Sequence, residues 1–97
     1  MTLNDICIFK TEFEDADFWI QRKGSETSVG EPKRTYTEEN IGVKVKEEFR
    51  DRVDPNYLYY YFQFLHQKGV FAPIAVGTLK LKNIRLSDIK SIPIQFQ

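Results

Sequence analysis

The sequence predicts an α+β domain in which a small, mostly antiparallel sheet packs on one main helix. Three observations predict this class. A helical pattern with its own start signal spans about residues 55–68. Short apolar runs rich in β-forming residues occur on either side of it, and polar or glycine-containing segments separate them as turns do. Since the chain has 97 residues, of which 41% are hydrophobic, we expect one domain over residues 1–97 with a modest core.

Four short segments have the composition of strands or strand edges. Alternation of apolar and charged residues predicts that the third is a strand with one solvent-facing side and that the fourth is a strand or a loop edge. The second ends in a turn signal, Arg-Lys-Gly-Ser. The four segments are residues 5–10, 18–21, 41–46 and 79–82.

The remaining segments are predicted as loops and short turns. Residues 24–40 are polar and form a long loop or loose hairpin, and residues 47–53 form a turn or short helical piece. Residues 71–77 contain a proline and are expected to be extended or irregular. Ser87 caps a helical turn over residues 88–91, and Ile92-Pro93-Ile94 follows as an extended tail outside the sheet interior, because proline cannot donate to a ladder.

The main helix carries both a start and a stop signal. Asp54 can accept a backbone N–H of the first turn, and Pro55 suits the first helical position. Gly69 can end the helix in a left-handed conformation. The i, i+3, i+4, i+7 spacing predicts a core-facing stripe, formed by Leu58, Tyr61, Phe62 and Leu65. Three further aromatic residues lie off this stripe and are candidates for a partner interface: Tyr59, Tyr60 and Phe64.

Charge is balanced overall but unevenly distributed. The chain has 14 basic and 14 acidic side chains. Residues 1–40 hold nine acids and five bases, a net charge of −4, and residues 41–97 hold five acids and nine bases, a net charge of +4. Zero net charge argues against a non-specific nucleic-acid binder, whose affinity comes from phosphate neutralisation. We expect an anion-facing surface to involve mainly the second half of the chain.

The cysteine content and the apolar pattern bear on the cellular compartment. Cys7 is the single cysteine, so no internal disulfide can form and a reducing compartment is favoured. Its apolar neighbours predict a buried strand position. The N-terminus has no basic region followed by an apolar run, and no apolar stretch approaches the ~20 residues that span a bilayer. We therefore expect a cytoplasmic protein without membrane association.

The residues that carry chemistry are not arranged as in an enzyme. His66 has no nearby second nitrogen or sulfur ligand in the sequence, so a metal site is not expected. The Asp…Glu-x-Lys order of a metal-dependent nuclease is absent, and Gly24 and Gly30 do not form a phosphate loop. We predict no catalytic residue, no metal and no cofactor.

The residue types in the sequence favour a binding function over a catalytic one. Arg22, Lys23 and Ser25 place two cations and a hydroxyl at the end of a strand beside a flexible glycine. A second basic segment, around Gly77, offers another hydroxyl and two lysines. Such side chains contact phosphates and base edges of DNA. The candidate nucleic-acid-binding residues are Arg22, Lys23, Ser25, Thr78, Lys80 and Lys82.

The order of several landmarks resembles a known family. The landmarks are Asp17-Phe18-Trp19-Ile20-Gln21-Arg22-Lys23-Gly24-Ser25, Asp54-Pro55-Asn56-Tyr57-Leu58-Tyr59-Tyr60-Tyr61, Gly77-Thr78-Leu79-Lys80 and Leu86-Ser87-Asp88-Ile89-Lys90-Ser91-Ile92-Pro93-Ile94. Over residues 17–96 the chain resembles the C-terminal part of a target recognition domain, as found in the specificity subunits of type I restriction–modification systems. The resemblance implies a target-recognition-domain-like fold.

The resemblance also implies a function. Domains of this family read a short half-site of double-stranded DNA and leave the chemistry to methyltransferase and restriction subunits. The chain would then be a non-catalytic recognition module, acting with such a subunit or as a homodimer. The alternative is a protein-interaction module, such as a phage or mobile-element mimic that binds and inhibits a host defence or restriction complex. Zero net charge favours that alternative.

Overall fold

The computed structural model of the chain describes residues 1–94, so the last residues of the expected domain (1–97) and of the family resemblance (17–96) lie outside the described part. Helices and strands alternate irregularly along the chain, as in an α+β fold. In chain order they are α1 (Leu3–Ile6), β1 (Cys7–Lys10), β2 (Phe18–Ile20), β3 (Lys23–Gly24), β4 (Pro32–Lys33), β5 (Ile41–Val45), a 3₁₀ turn (Glu47–Phe49), α2 (Pro55–Gln67), α3 (Phe71–Ile74), β6 (Val76–Gly77), β7 (Lys82–Asn83) and α4 (Leu86–Lys90).

Within residues 1–94 the strands form two antiparallel sheets rather than the single sheet expected. The larger sheet has the order β1-β5-β2-β4, and the smaller has the order β3-β7-β6. Strand β5 is central to the larger sheet, because Val43 lies opposite both Phe9 of β1 and Phe18 of β2. The α+β class and the antiparallel pairing are therefore confirmed, with α2 as the main helix.

The strand predicted over residues 41–46 is confirmed as β5, but the prediction that one of its sides faces solvent is wrong. Four of the five residues of β5 are buried, and only Lys44 is partly exposed. Chain segment 13–16 covers the face that was expected to be wet. A Cβ atom on Gly42 would lie 2.6 Å from Cβ of Phe13, so this close cover requires a glycine. Trp19 Nε1 donates to the Phe13 carbonyl over 2.9 Å and holds the segment there.

The main helix begins and ends almost where the sequence predicts. Asp54 Oδ1 accepts the backbone N–H of Asn56 at 2.9 Å, Pro55 occupies the first turn, and Gly69 has φ +73°. Three of the four predicted stripe residues are buried, namely Leu58, Phe62 and Leu65, whereas the fourth, Tyr61, is only half-buried.

The core is centred on the ring of Phe62, which is fully buried between α2 and the larger sheet. This ring stacks on Phe71 with centroids 6.0 Å apart and 8° between the planes. It meets Phe18 of β2 edge-on at 5.5 Å and Phe9 of β1 at 6.4 Å. Aromatic residues from two helices and two strands thus share one contact point, and the helix is anchored there to the sheet.

Two helical segments depart from the sequence prediction. The strand expected from Asp5 begins only at Cys7, because residues 3–6 form α1, in which Asp5 accepts the backbone N–H of Thr2 at 2.7 Å. Residues 71–77 were expected to be extended or irregular, but residues 71–74 form α3. Pro73 is tolerated there because first-turn N–H groups have no intrahelical acceptor.

The helical turn near the C-terminus starts earlier than predicted. Helix α4 has Arg85, not Ser87, at its N-cap position. Asp88 accepts the backbone N–H of Arg85 at 3.0 Å and pairs with its guanidinium at 2.9 Å. That pairing lowers the pKa of Asp88 below its ordinary value. A local ion pair, rather than a hydroxyl, therefore sets the start of the helix.

The extended tail at residues 92–94 is confirmed as a segment outside both sheets. Pro93 forms an isolated antiparallel bridge with Thr2. The N–H of Leu3 donates to the Ile92 carbonyl at 2.9 Å, and the N–H of Ile94 donates to the Met1 carbonyl at 3.0 Å. Both isoleucines are buried. In the described part of the chain, no helix has the length and apolar character needed to cross a membrane.

Cys7 is buried in β1, as predicted. Burial and the nearby charge of Asp17 raise the pKa of its thiol to about 12 from an ordinary value of 9.0. Because the thiolate is the reactive form, a shift of this size lowers the reactive fraction at pH 8 by about a thousandfold. We expect Ellman's reagent to modify the folded chain at least about a hundredfold more slowly than the urea-unfolded chain.

The raised pKa of the Cys7 thiol also makes the stability of the fold depend on pH. The folded state holds the thiol protonated more strongly than the unfolded state, so its contribution to stability is complete below pH 9.0 and declines as the pH rises toward about 12. Equal modification rates for folded and unfolded chains at pH 8 would show that the thiol is accessible and contradict this assignment.

Candidate nucleic-acid interface

The two basic segments singled out in the sequence are strands of the same small sheet. Strand β3 pairs with β7, so that Lys23 lies opposite Asn83 and Gly24 opposite Lys82. Strand β7 pairs on its other side with β6, where Gly77 also lies opposite Lys82. Segments almost sixty residues apart in the sequence therefore form one surface. We call residues 22–26 together with residues 76–84 the basic surface.

The basic surface is more positive than the chain as a whole. Its two segments contain four cations and one acid, Glu26, for a net charge of +3 in a chain whose net charge is zero. Among the residues that the structure describes, none of these four cations forms a salt bridge. The cations are Arg22, Lys23, Lys80 and Lys82.

Two cations outside the basic surface, Arg50 and Lys44, differ because each forms a salt bridge with an acid of the N-terminal half. Arg50 Nη2 lies 3.0 Å from Asp17 Oδ1 in a partly buried pair, and Asp17 also accepts the backbone N–H of Val45 at 2.8 Å. Lys44 pairs with Asp15, which lowers the pKa of that carboxyl. Asp17 therefore joins Arg50 to the larger sheet, and Arg50 and Lys44 each already have a carboxylate partner.

The four cations of the basic surface have different surroundings. Arg22 is half-buried, and its Nε donates to the Ile84 carbonyl at 3.3 Å while its own carbonyl accepts the N–H of Ile84 at 2.9 Å. It therefore joins the start of β3 to the end of β7. Lys23 and Lys80 are exposed, and Lys82 is half-buried. Three lysines are thus the best-placed groups to meet a ligand.

Both predicted hydroxyl contacts help to shape their own turns. Ser25 Oγ lies 3.1 Å from Thr27 Oγ1 and 3.1 Å from Ser28 Oγ. Thr78 Oγ1 accepts the N–H of Leu81 at 3.2 Å, and the Thr78 N–H donates to the Leu81 carbonyl at 3.1 Å. The hydroxyls therefore lie at the basic surface, but they also hold its backbone in place.

The turn between β6 and β7 depends on a glycine. Gly77 has φ +118°, and a Cβ atom there would lie only 2.2 Å from the Leu81 carbonyl oxygen. The tip of this turn is also tied to the segment after β3, since the N–H of Glu26 donates to the Leu79 carbonyl at 2.9 Å. The sequence alone predicted a turn at the end of a strand and a second, flexible basic segment around Gly77, whereas the structure has a sheet cross-linked at its tip.

Sequence reasoning missed the apolar side chains of this tip. The Leu-Lys-Leu-Lys alternation predicted a strand or loop edge but not how its leucines are placed, and Leu79 is 65% exposed and Leu81 is 66% exposed. Val76 at the start of β6 is also exposed. The signal available in the sequence was Gly77-Thr78 directly before the alternation, which favours a tight turn over a continuous strand.

The main helix is linked to the basic surface by a histidine. His66 Nε2 lies 2.8 Å from the Thr27 carbonyl oxygen, in the turn that follows β3. Because a carbonyl only accepts hydrogen bonds, Nε2 carries the proton. Among the described residues, no group of three or more His, Cys, Asp or Glu side chains is arranged to hold a metal ion.

The predicted aromatic interface is rearranged by the packing of the helix. Tyr59 is half-buried, with its ring edge-on to Phe18 at 5.5 Å, while Tyr60 and Phe64 are 59% and 51% exposed. Tyr57 is exposed as well. The surface of α2 therefore presents an aromatic stripe of Tyr57, Tyr60 and Phe64, and Tyr59 belongs mainly to the core side.

Cations flank this aromatic stripe. The guanidinium carbon of Arg34 lies 3.9 Å from the Tyr59 ring centroid and 5.9 Å from that of Tyr60. Lys68 Nζ lies 5.5 Å from the centroid of Phe64. The stripe combines exposed rings with positive charge, as protein interfaces often do.

Comparison with known proteins does not identify a family for this chain. No protein-family model, no curated protein and no solved structure matches it.

Proposed function

We propose that this chain is a non-catalytic module that binds double-stranded DNA in the cytoplasm through its basic surface, and that it is related to the specificity subunits of restriction–modification systems. The observation that carries the proposal is the pairing of β3 with β7, which unites two basic segments in one sheet. Together they hold four cations, none in a salt bridge among the described residues.

The shape of the basic surface supports contact with a duplex. A two-stranded β-ribbon can enter a groove of B-DNA, and several DNA-binding proteins use strands in the major or the minor groove. Strands β6 and β7 form such a ribbon, with Lys80 in its turn and Lys82 in the residue pair that closes the turn. Lys23 lies on the neighbouring strand opposite Asn83, so its side chain and that of Lys82 leave opposite faces of the sheet and can contact phosphates on either side of a groove.

The balanced charge of the chain sets the expected strength of binding. Three lysine–phosphate contacts predict a slope of about −2.7 for log K against log salt, which corresponds to a loss of about 40-fold in affinity between 50 and 200 mM salt. Binding should therefore be weak and strongly salt-dependent unless a second copy or a methyltransferase or restriction subunit adds contacts.

Lysine substitutions test the proposal. We expect Lys80→Gln/Lys82→Gln to weaken binding of a fluorescein-labelled duplex in an anisotropy titration and to reduce the salt slope by about 1.8, because two phosphate contacts are removed. The matched control is Lys33→Gln/Lys44→Gln, which removes the same charge from two lysines held in salt bridges. Its salt slope should stay near the wild-type value.

Two outcomes would contradict DNA binding through this surface. One is the absence of an anisotropy change with the wild-type chain at 50 mM salt and tens of micromolar protein. The other is an equal loss of affinity in both double variants, which would indicate a general effect of net charge rather than contact at the basic surface.

A second candidate function is a protein-interaction module that occupies or inhibits a restriction or other host defence complex. The exposed aromatic stripe on α2 favours it, since clustered exposed rings suit a protein partner. Co-purification of a methyltransferase or restriction subunit with the tagged chain, lost in Tyr60→Ala/Phe64→Ala, would support this function. Sedimentation of the same variant beside wild type would test whether the stripe instead joins two copies.

A further inference from the structure

The tip of the basic surface exposes two leucines that alternate with two lysines. Leu79 and Leu81 are 65% and 66% exposed, the largest exposed fractions among the described large apolar side chains. Single exposed leucines are common on protein surfaces and need no explanation. Here two of them lie two residues apart in one turn, alternating with Lys80 and Lys82. The alternation places apolar and cationic groups at the same projecting point.

The backbone that carries these leucines is held by three hydrogen bonds. The Thr78 N–H donates to the Leu81 carbonyl, the Leu81 N–H donates to Thr78 Oγ1, and the Leu79 carbonyl accepts the N–H of Glu26. The last bond joins the tip to the segment after β3. Since the backbone is already ordered, little conformational entropy is lost when the tip meets a partner.

We propose that Leu79 and Leu81 form an apolar wedge that enters the minor groove of a DNA duplex and partly unstacks a base step, while Lys80 and Lys82 contact the flanking phosphates. This inference rests on the proposed function and specifies how the DNA is deformed. Proteins that insert leucine or other apolar side chains between base pairs kink the duplex in this manner. The kink lets more cationic surface reach the backbone.

The wedge gives sequence preference without hydrogen bonds to bases. Pyrimidine–purine steps such as TA unstack more easily than other steps, so a site with a central TA step should be favoured. An anionic membrane is the other surface on which leucines and lysines act together. Two leucines bury little apolar surface, and stable membrane attachment needs considerably more, so a duplex fits this tip better.

Bending of DNA tests the wedge directly. The probe is a 24-base-pair duplex with a central TA step and a fluorescence donor and acceptor at its two ends. We expect the wild-type chain to increase energy transfer, and Leu79→Ala/Leu81→Ala to remove that increase. Affinity for the TA duplex should fall about tenfold in the double variant, while the salt slope stays unchanged because the lysines remain.

Two controls separate the wedge from general effects. Ile8→Ala removes an exposed apolar side chain from β1 in the other sheet and should leave energy transfer unchanged. Thermal unfolding followed by circular dichroism should give the same midpoint for wild type and Leu79→Ala/Leu81→Ala, since both leucines are exposed.

The outcomes distinguish this inference from the proposed function. If the wild-type chain does not bind the duplex, both are overturned. If it binds without a change in energy transfer, or if the double leucine variant bends the duplex as wild type does, the wedge is overturned while DNA binding stands. Leucine-dependent binding to vesicles of phosphatidylcholine and phosphatidylserine, without DNA bending, would assign the tip to a membrane and overturn the wedge.

Discussion

Replacement of Phe62 by alanine is expected to lower the free energy of unfolding by about 3–5 kcal/mol. The side chain is fully buried, and its ring contacts the rings of Phe9, Phe18 and Phe71. Truncation leaves a cavity lined by two helices and two strands, which cannot all move inward together. Small domains have a total stability of about 5–15 kcal/mol, so this single change removes a large share.

Chemical denaturation with urea, followed by circular dichroism, measures this loss. The matched control is Phe64→Ala, two residues further along the same helix, where the ring is 51% exposed. We expect the control to change the free energy of unfolding by no more than about 0.5 kcal/mol. A similar loss in both variants would mean that Phe62 is not the centre of the core.

Gly30→Ala is expected to destabilise the fold by about 2–5 kcal/mol, for two reasons that add. The residue has φ +88°, which an alanine adopts only with strain, and its Cβ atom would lie 2.3 Å from Cδ2 of Phe71. The Phe71 ring cannot move aside, because it is buried and stacked on Phe62.

A second glycine separates these two reasons. Gly69 has φ +73°, but no atom lies within 4 Å of a Cβ placed there. Gly69→Ala therefore reports the cost of the backbone conformation alone, about 1–2 kcal/mol. The difference between the two variants, measured by urea denaturation, reports the contact with Phe71. Equal losses would show that the ring yields to the added methyl group.

The parts of the fold that the sequence predicted well are those set by neighbouring residues. Asp54, Pro55 and Gly69 define the ends of α2 through bonds and dihedral angles within a few residues. The strand predicted over residues 18–21 appears as β2 for the same reason, since its composition favours extended structure. Local chemistry of this kind is visible in a linear sequence.

The errors occur where distant residues decide the environment. Residues 41–46 have a one-sided pattern, yet segment 13–16 covers the second side. The alternation over residues 79–82 predicted a strand or loop edge, but only Lys82 belongs to a strand, and the turn after Gly77 leaves both leucines exposed. In both places the pattern was interpreted without the chain segment that packs against it or bends it.

The candidate site divides in the same way. The sequence identified its lysines and hydroxyls by residue type and by the glycines beside them. It could not place them on one surface, because β3, β6 and β7 have two residues each and so short a strand has no periodicity to detect. Residue type alone also does not distinguish Arg22, which is hydrogen-bonded to the end of β7, from the exposed Lys23 and Lys80.

The sequence by itself determined the α+β class, the limits of the main helix and the residue types of the basic segments. Each of these follows from interactions within one or two helical turns. Tertiary structure decided that β3 pairs with β7, that Tyr59 packs inward and that two leucines project at the tip of the basic surface. Those features depend on packing between segments that are distant in the sequence. This packing, which excludes water from both segments, is fixed only in the complete core.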